Sequence, residues 1–270
     1  MQLNGNAEIS SIIVAGGKAS RIGGIDKTML PLGINGSALL AEVVAASPGK
    51  KIVVGKPRNI DAEVFWIDDQ EVGGGPAAGI WSGLAEVETE YVFLVAGDQQ
   101  LTAKVVEEIC TAALGRDGAW ALRADGQGQP LLACVKTNLI RTLLEPTKGL
   151  NQSPLRLMEQ LDMFGVKVND NDLKDIDTWL DVQRIVKEQA VSDVTPIWLA
   201  KVAATLGIPA TQIPVEQLLD LTREVAHNVE RKSAPLTTYL IGLAEGKTDL
   251  SVAQIISLVN DEVSNWPNND

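Results

Sequence analysis

Residues 12–27 read IIVAGGKASRIGGIDK, and this stretch decides the fold expected for the chain. It begins with an apolar, β-branched run at residues 12–14, which is typical of a buried strand. A loop with four glycines follows, and an amphipathic stretch starts near Ser37. A glycine-rich turn between a strand and a helix exposes backbone N–H groups that bind phosphate, and Arg21 and Lys27 add positive charge. The stretch therefore predicts a phosphate-binding loop at the end of a strand.

Two common phosphate-binding patterns do not match this loop. A P-loop needs Gly-Lys-Ser/Thr after a first glycine and four further residues, whereas Lys27 follows Ile25 and Asp26. The dinucleotide fingerprint G-x-G-x-x-G is also missing from the turn. A tight turn without a ligand is the alternative for an isolated glycine pair. Two glycine pairs together with Arg21 and Lys27 favour phosphate binding.

Strand-like and helix-like patterns alternate from residue 8 to about residue 188. Helical patterns cover residues 37–46, 79–86 and 102–114, the last with Thr102 as its N-cap and Gly115 after its end. This alternation predicts an α/β domain with a mostly parallel sheet that is covered on both faces. Because ligands of such sheets bind at the carboxyl ends of the strands, the glycine-rich loop is expected at the ligand edge. The predicted strands are residues 11–14, 51–54, 64–67, 91–95, 120–122, 131–135 and 164–167.

The pattern changes after about residue 190, where glycine becomes sparse and four helical segments follow. Short connections between helices favour antiparallel neighbours, which predicts a small all-α bundle. The segments are residues 195–207, 214–231, 233–246 and a last one that begins at Thr248 or Asp249 and ends near Trp266. We therefore predict a first domain at residues 1–188, a linker at 189–194 and a small helical domain at 195–270.

Composition and charge restrict the function further. Of the 270 residues, 45% are hydrophobic and 21% are charged, as in an ordinary globular protein with a sizeable core. The net charge of −12 argues against a broad surface for nucleic acid or an anionic membrane, although a local cation cluster can still bind an anionic substrate. The apolar runs are too short to span a membrane and the first residues do not resemble a signal peptide, so a cytoplasmic location is expected. Cys110 and Cys134 have no metal-ligand spacing and are expected to be inert core thiols.

The loop AGGKASRIGGIDK at residues 15–27 resembles the signature loop of the MobA-like molybdopterin guanylyltransferases, L-A-G-G-x-S/A-x-R-M-G-x-D-K. Val14 replaces the usual leucine and Ile22 replaces methionine, and both keep an apolar side chain. Over residues 8–188, the resemblance implies a Rossmann-like, three-layer nucleotidyltransferase fold of the glycosyltransferase-A type. It also implies nucleotide binding by Val14, Ala15, Gly16, Gly17, Ser20, Arg21, Gly23 and Lys27.

A second glycine-rich segment, GGGPAAG at residues 73–79, follows Asp68 and Asp69. Three glycines and a proline are also compatible with a simple turn. The segment resembles the family's G-P-L-A-G motif, which helps to hold the guanine base, with Ala77 in place of leucine. The resemblance implies GTP as the nucleotide, and it implies nucleotide contacts from Asp69, Gly75, Pro76, Ala78 and Gly79.

Asp98 follows the apolar run at residues 91–95 and is expected at the edge of the sheet. Its carboxylate is a hard oxygen ligand that suits Mg²⁺, and the alternative is a cap or turn residue before the helix at residue 102. The family resemblance implies that Asp98 binds Mg²⁺, although Gln100 replaces the family's proline. It implies Asp177 as a second metal ligand, where Trp179 replaces a proline and a helix cap is a complete structural alternative.

The resemblance implies two acceptor-binding residues. Gln129 belongs to the segment QPLLA at residues 129–133, which is similar to the family's Q/H-P-x-x-A strand. Arg156 stands where relatives carry basic residues near the pterin phosphate, and a solvated helix arginine is the alternative.

The reaction that the resemblance implies is a Mg²⁺-dependent nucleotidyl transfer. The terminal phosphate of molybdopterin or Mo-molybdopterin attacks the α-phosphorus of GTP, and pyrophosphate leaves. Arg21, Lys27 and Asp98 are the implied catalytic residues. One alternative is a cytidylyltransferase or sugar-phosphate nucleotidyltransferase of the same fold. The other is a catalytically weakened, GTP-binding regulatory or scaffold protein.

Residues 226–242, AHNVERKSAPLTTYLIG, resemble a small bacterial domain of unknown function that is attached to MobA-like proteins. This resemblance implies no mechanism for the helical tail. Its expected role is packing or dimerisation, or contact with a molybdoenzyme or chaperone.

Overall fold

The computed structural model describes residues 8–16, 26–32, 37–68, 74–168, 178–188, 194–208 and 213–267. The chain divides into two compact units, Met1–Gly207 and Ile208–Asp270. Most of the predicted linker, residues 189–193, lies outside the described residues, so the predicted domain boundaries stay predictions. In the described ranges, no helix combines the length and the apolar character needed to cross a membrane.

The first unit contains one sheet of seven strands, and all seven predicted strands are confirmed. Their bounds are β1 (Ile9–Val14), β2 (Lys51–Val54), β3 (Phe65–Ile67), β4 (Tyr91–Ala96), β5 (Gly118–Leu122), β6 (Gly128–Lys136) and β7 (Met163–Lys167). The strand order is β3-β2-β1-β4-β6-β5-β7. Only β6 runs antiparallel to its neighbours, β4 and β5, within the described sheet. The sheet is therefore mostly parallel, as predicted.

In the described residues, the helices of the first unit include the four that were predicted, one near Asp177 that was given as an alternative, and two that were not predicted. The bounds are α1 (Leu39–Ala46), α2 (Pro76–Leu84), α3 (Ala103–Ala113), α4 (Thr137–Leu144), α5 (Pro154–Met158), α6 (Trp179–Glu188) and α7 (Thr195–Leu206). The predicted ends of α3 are confirmed, because the Thr102 hydroxyl accepts from the Val105 N–H and Gly115 has a φ of +76°. Sequence periodicity missed α4, which follows β6 without a break, and α5, which has only five residues.

Hydrophobic clusters cover both faces of the sheet. On one face, Ile13 of β1 packs in a cluster with Ile109 of α3. On the other face, Ile12 packs in a cluster with Ile80 of α2. Successive residues of a strand point to opposite faces, so β1 contributes to both clusters. The predicted three-layer α/β architecture is confirmed.

The two cysteines lie in the first of these clusters. Cys110 of α3 and Cys134 of β6 are both free and buried. A hydrogen bond with Cys110 and, next, burial raise the pKa of the Cys134 thiol above its ordinary value. A thiol with a raised pKa stays protonated and reacts slowly, which agrees with the expected inert core thiols.

The second unit consists of α8 (Val215–Asn228), α9 (Ser233–Glu245) and α10 (Val252–Asn265) in the described residues. Three of the four predicted C-terminal helices thus form its core, since α7 falls in the first unit. The start of α10 differs from the prediction, because Ser251 and Gln254 form a capping box. The buried core residues are Leu221, Val225, Ala234, Ile241, Ile255, Ile256 and Val263.

One face of α9 is apolar and exposed. Leu236, Tyr239 and Leu240 are 65%, 66% and 63% exposed, respectively. No charged side chain occurs from Ser233 to Ala244. The spacing of three and four residues places the exposed side chains on one stripe of the helix.

Candidate active site

The carboxyl ends of the parallel strands lie along one edge of the sheet. In the register of β1 with its two neighbours, Val14 lies beside Val54 of β2 and beside Ala96 of β4. The Ala15 N–H donates to the Val54 carbonyl at 2.9 Å, and the Gly97 N–H donates to the Val14 carbonyl at 2.9 Å. The start of the glycine-rich loop is thus hydrogen-bonded to the strands on both sides.

Two glycines let neighbouring backbone segments approach this loop start. A Cβ added at Gly97 would lie 3.0 Å from the Cβ of Ala15. At Gly55, which has a φ of +145°, an added Cβ would lie 3.1 Å from the Ala15 carbonyl carbon. Side chains at these positions would therefore displace Ala15 and the loop that follows it.

Lys27 and Asp98 form an ion pair at this edge, with 3.6 Å between Nζ and Oδ2. Lys27 belongs to a short 3₁₀ turn, Lys27–Met29, and Asp98 follows β4. Their side chains are 13% and 26% exposed, so both charges are partly shielded from water yet accessible from the edge. The structure brings together these two residues that the sequence singled out separately.

Asp26, next to Lys27, is bound by protein donors on both carboxylate oxygens. Oδ1 accepts from the Thr28 N–H at 3.1 Å and from the Thr28 hydroxyl at 2.6 Å. Oδ2 accepts from Nε of Arg58. Asp26 therefore caps the 3₁₀ turn that carries Lys27.

Arg58 is a residue that the sequence reasoning missed. Besides Asp26, it binds the Ala15 carbonyl through Nη2 at 2.9 Å and the Lys56 carbonyl through Nη1 at 2.8 Å. We call Arg58, Asp26 and the Ala15 carbonyl the loop clamp, because they join the residues at the two ends of the loop. The sequence signal for Arg58 is weak, since it is one of two cations, with Lys56, that follow the strand at 51–54 outside any recognisable motif.

Helix α2 begins at the second predicted nucleotide segment. Its N-cap is Gly75, with a φ of +84°, and Pro76 is its first residue. Ala78 and Gly79 are buried, and a Cβ at Gly79 would lie 3.2 Å from Cγ1 of Val14. Close packing on β1 thus accounts for Gly79, while Gly75 and Pro76 are exposed. All four nucleotide contacts remain predictions.

The candidate acceptor residues lie on β6 and α5. Gln129, half-buried, pairs with Ala121 near the start of β6, at the edge where β4 ends, because β6 is antiparallel to β4. Arg156 is exposed on α5. The turn before α5 touches the first turn of α2, since a Cβ at Gly149 would lie 2.3 Å from the Ala77 carbonyl oxygen. Acceptor binding by Gln129 and Arg156 remains a prediction.

Six predicted site residues lie outside the described residues, namely Gly17, Ser20, Arg21, Gly23, Asp69 and Asp177. Val14, Ala15 and Gly16 are described, at and just after the end of β1. No group of three or more His, Cys, Asp or Glu side chains that could hold a metal occurs among the residues that the structure describes.

A mostly parallel α/β sheet with a glycine-rich loop and a Lys–Asp pair at its carboxyl edge is typical of enzymes that bind nucleotides. A family model described as the MobA-like NTP transferase domain matches residues 11–163. The chain belongs to this family and is a nucleotidyltransferase. A second model, a domain of unknown function named DUF6457, matches residues 188–270. The predicted family, fold class and enzyme class are confirmed.

Similar proteins from two bacteria are named as molybdenum cofactor guanylyltransferases. A Bordetella petrii protein named molybdenum cofactor guanylyltransferase is 30% identical over 153 residues, which cover 51% of this chain and 76% of that protein. A Vibrio parahaemolyticus protein of the same name is 38% identical over 112 residues, 39% of this chain and 56% of that protein.

Solved structures support the fold of the first unit. Molybdopterin-guanine dinucleotide biosynthesis protein A from Archaeoglobus fulgidus has a TM-score of 0.54 at 21% identity, covering 67% of this chain and 98% of that one. A Mycobacterium tuberculosis protein solved as a complex with manganese has a TM-score of 0.52 at 20% identity, covering 67% and 98%.

Proposed function

We propose that the protein transfers GMP from GTP to the terminal phosphate of molybdopterin or Mo-molybdopterin and releases pyrophosphate. The observation that carries the proposal is the Lys27–Asp98 pair, with 3.6 Å between Nζ and Oδ2, at the edge where the glycine-rich loop starts. Relatives named molybdenum cofactor guanylyltransferase support the choice of substrates.

The reaction needs no covalent intermediate with the protein. An oxygen of the acceptor phosphate forms a bond to the α-phosphorus of GTP, and the bond from that phosphorus to the bridging oxygen of the β-phosphate breaks. The protein contributes alignment and charge stabilisation. Lys27 is proposed to bind the α-phosphate or the attacking group, and Arg21 to stabilise the negative charge on the leaving pyrophosphate. Backbone N–H groups of residues 16–23 are proposed to bind the β- and γ-phosphates.

The carboxylates present at the edge fit a divalent cation such as Mg²⁺. Asp98 offers hard oxygen atoms at the carboxyl edge of the sheet, and its side chain is 26% exposed. Asp98 is therefore the proposed ligand, with Asp177 as the proposed second one. When bound, the cation would neutralise charge on the phosphate oxygens. The manganese complex of the mycobacterial relative supports a divalent metal in this fold.

The remaining groups are proposed to select the substrates. The N-terminal turn of α2, with Gly75 and Pro76 exposed, is the proposed contact for guanine, and Asp69 for the base or ribose. Gln129 and Arg156 are the proposed contacts of the pterin acceptor. For the second unit we propose a role in contact with a second copy or with a molybdoenzyme or chaperone, which the exposed apolar stripe of α9 supports.

A pyrophosphate-release assay tests this function. The purified chain is mixed with Mg²⁺, molybdopterin and, in turn, GTP, CTP, UTP or ATP, and the same four nucleotides are compared by thermal shift. Of the four nucleotides, we expect only GTP to give pyrophosphate release, and only when molybdopterin is present. GTP should also give the largest thermal stabilisation. Release with CTP would contradict the guanylyl assignment. Stabilisation by GTP without pyrophosphate release would support a regulatory protein instead.

A further inference from the structure

We propose that Arg58 is a positioning residue for the transfer reaction, because its guanidinium fixes both ends of the glycine-rich loop and thereby places Lys27 beside Asp98. The inference rests on the proposed function for its catalytic consequence. The loop clamp itself rests on contacts alone.

The first step is the connection between the two loop ends. Ala15 lies at the start of the loop, and its carbonyl accepts from Nη2 of Arg58 at 2.9 Å. Asp26 lies at the far end, and its Oδ2 accepts from Nε of the same side chain. The Arg58 side chain is 15% exposed and that of Asp26 is 40% exposed, so the arginine is the more deeply held partner. One planar group thus joins residues that the chain separates by the whole loop.

The second step leads from Asp26 to Lys27. The other carboxylate oxygen of Asp26 accepts from the N–H and the hydroxyl of Thr28, which follows Lys27. The Leu30 N–H donates to the Lys27 carbonyl at 3.1 Å and closes the turn. The backbone of Lys27 is thus fixed on both sides, and its Nζ lies 3.6 Å from Oδ2 of Asp98.

The third step shows why Arg58 acts through Lys27 and not on a substrate. A guanidinium has five N–H donors, and three of them here, one each on Nε, Nη1 and Nη2, donate to protein oxygens. The carboxylate of Asp26 also balances its charge. Arg58 is therefore committed to the protein, in contrast to a cation that binds phosphate directly.

The functional arm of the test compares Arg58→Met with Arg141→Met. Arg141 is the matched control, because its guanidinium also donates to two backbone carbonyls, from Nη2 to Leu84 at 2.9 Å and to Val87 at 3.0 Å, outside the clamp. We expect Arg58→Met to lower kcat by about 10- to 100-fold with a smaller change in the KM for GTP, because a misplaced Lys27 stabilises the transition state poorly. Arg58→Lys should rescue little, since one ammonium group cannot reproduce three divergent N–H bonds. Arg141→Met should leave kcat within about threefold.

The structural arm needs no nucleotide. Amide hydrogen exchange of Thr28, Met29 and Leu30, whose N–H groups are donors within or next to the turn, should accelerate in Arg58→Met and not in Arg141→Met. Unchanged exchange would overturn the clamp. Faster exchange with unchanged kcat would overturn the positioning role, as would an equal loss of kcat in Arg141→Met.

A double variant guards against a general folding defect. Asp26→Asn with Arg58→Met should be no worse in kcat than the worse single variant, because both changes break one unit. Additive losses would contradict a joint role. If Arg58→Met does not fold, Arg58→Lys carries the same two arms. Absence of pyrophosphate release by the unaltered chain would contradict the proposed function. Amide hydrogen exchange would still show whether Arg58 holds the turn at residues 27–29.

Discussion

Asp26 and Lys27 are neighbours in the chain, yet they belong to two ion pairs that differ in their hydrogen bonding. In the Asp26–Arg58 pair, both carboxylate oxygens and three guanidinium nitrogens are engaged with protein atoms. In the Lys27–Asp98 pair, Nζ and Oδ2 lie 3.6 Å apart, beyond hydrogen-bond length. The first pair holds the 3₁₀ turn that carries Lys27, whereas the second lies at the carboxyl edge of the sheet, where phosphate and metal are proposed to bind. The comparison separates the proposed positioning residue, Arg58, from the proposed catalytic residues, Lys27 and Asp98.

The largest expected effect comes from removing the charge of Asp98, the acidic member of the Lys27–Asp98 pair. Asp98→Asn keeps the shape of the side chain and removes its charge, so pyrophosphate release should fall by about 100- to 1,000-fold. Initial rates at saturating GTP and Mg²⁺ measure this. Asp117→Asn is the control, because the Asp117 carboxylate accepts a hydrogen bond from the Asp162 N–H, away from the Lys27–Asp98 pair. A rate within a few-fold of the original in Asp98→Asn would remove Asp98 from the site.

Removing the charge of Lys27, the basic member of the same pair, should lower the rate slightly less. Lys27→Met keeps the apolar stem of the side chain but removes the ammonium group beside the proposed α-phosphate, and we expect kcat to fall by about 100-fold. Lys50→Met is the control, because Lys50 forms an exposed pair with Glu86 at 3.1 Å. Single-turnover rates measured on both variants decide the matter, and equal losses would mean that the effect is general.

Weakening the Asp26–Arg58 pair should have an intermediate effect on kcat. Asp26→Asn removes the charge that Arg58 binds but keeps an oxygen for Thr28, so we expect kcat to fall by about tenfold. The free energy of unfolding should fall by about 1 kcal/mol, since the pair is partly exposed. Urea denaturation and steady-state kinetics measure the two effects. A loss as large as that of Asp98→Asn would mean that Asp26 reacts directly.

The smallest effect sharpens the comparison at a single hydroxyl. Thr28→Val removes the 2.6 Å hydrogen bond to Asp26 and leaves the one from the backbone N–H. We expect a two- to fivefold loss of kcat and about 1 kcal/mol of stability. Thr142→Val is the control, because its hydroxyl bonds only along an exposed helix, to the Asn138 carbonyl. No change in either quantity would show that the turn is fixed without this hydroxyl.

Local sequence patterns predicted the parts of the fold that local physics controls. The strand at 51–54 and the caps of α3 at Thr102 and Gly115 follow from apolar runs and from cap chemistry. The start of α10 was wrong because Thr248, Asp249 and Ser251 all suit an N-cap, and only the pairing of Ser251 with Gln254 decides between them. Boundaries fail where several local solutions are nearly equal.

The site shows the same division between local and tertiary information. Lys27 and Asp98 were predicted because each follows a strand end in a recognisable motif, and parallel strands bring such ends together. Arg58 was missed because it contacts the Ala15 carbonyl and Asp26 only in the folded chain, and no spacing in the sequence encodes those contacts.

The two buried cysteines give the first unit its own kinetic reporter. Both lie in the unit Met1–Gly207, and the helices α8, α9 and α10 contain none. A thiol reagent needs an exposed, deprotonated sulfur, and the raised pKa of Cys134 makes its native reaction slower still. At high reagent concentration, the labelling rate therefore reports the rate at which the core around these two cysteines opens. The native lifetime of the catalytic half can thus be timed separately within the intact chain.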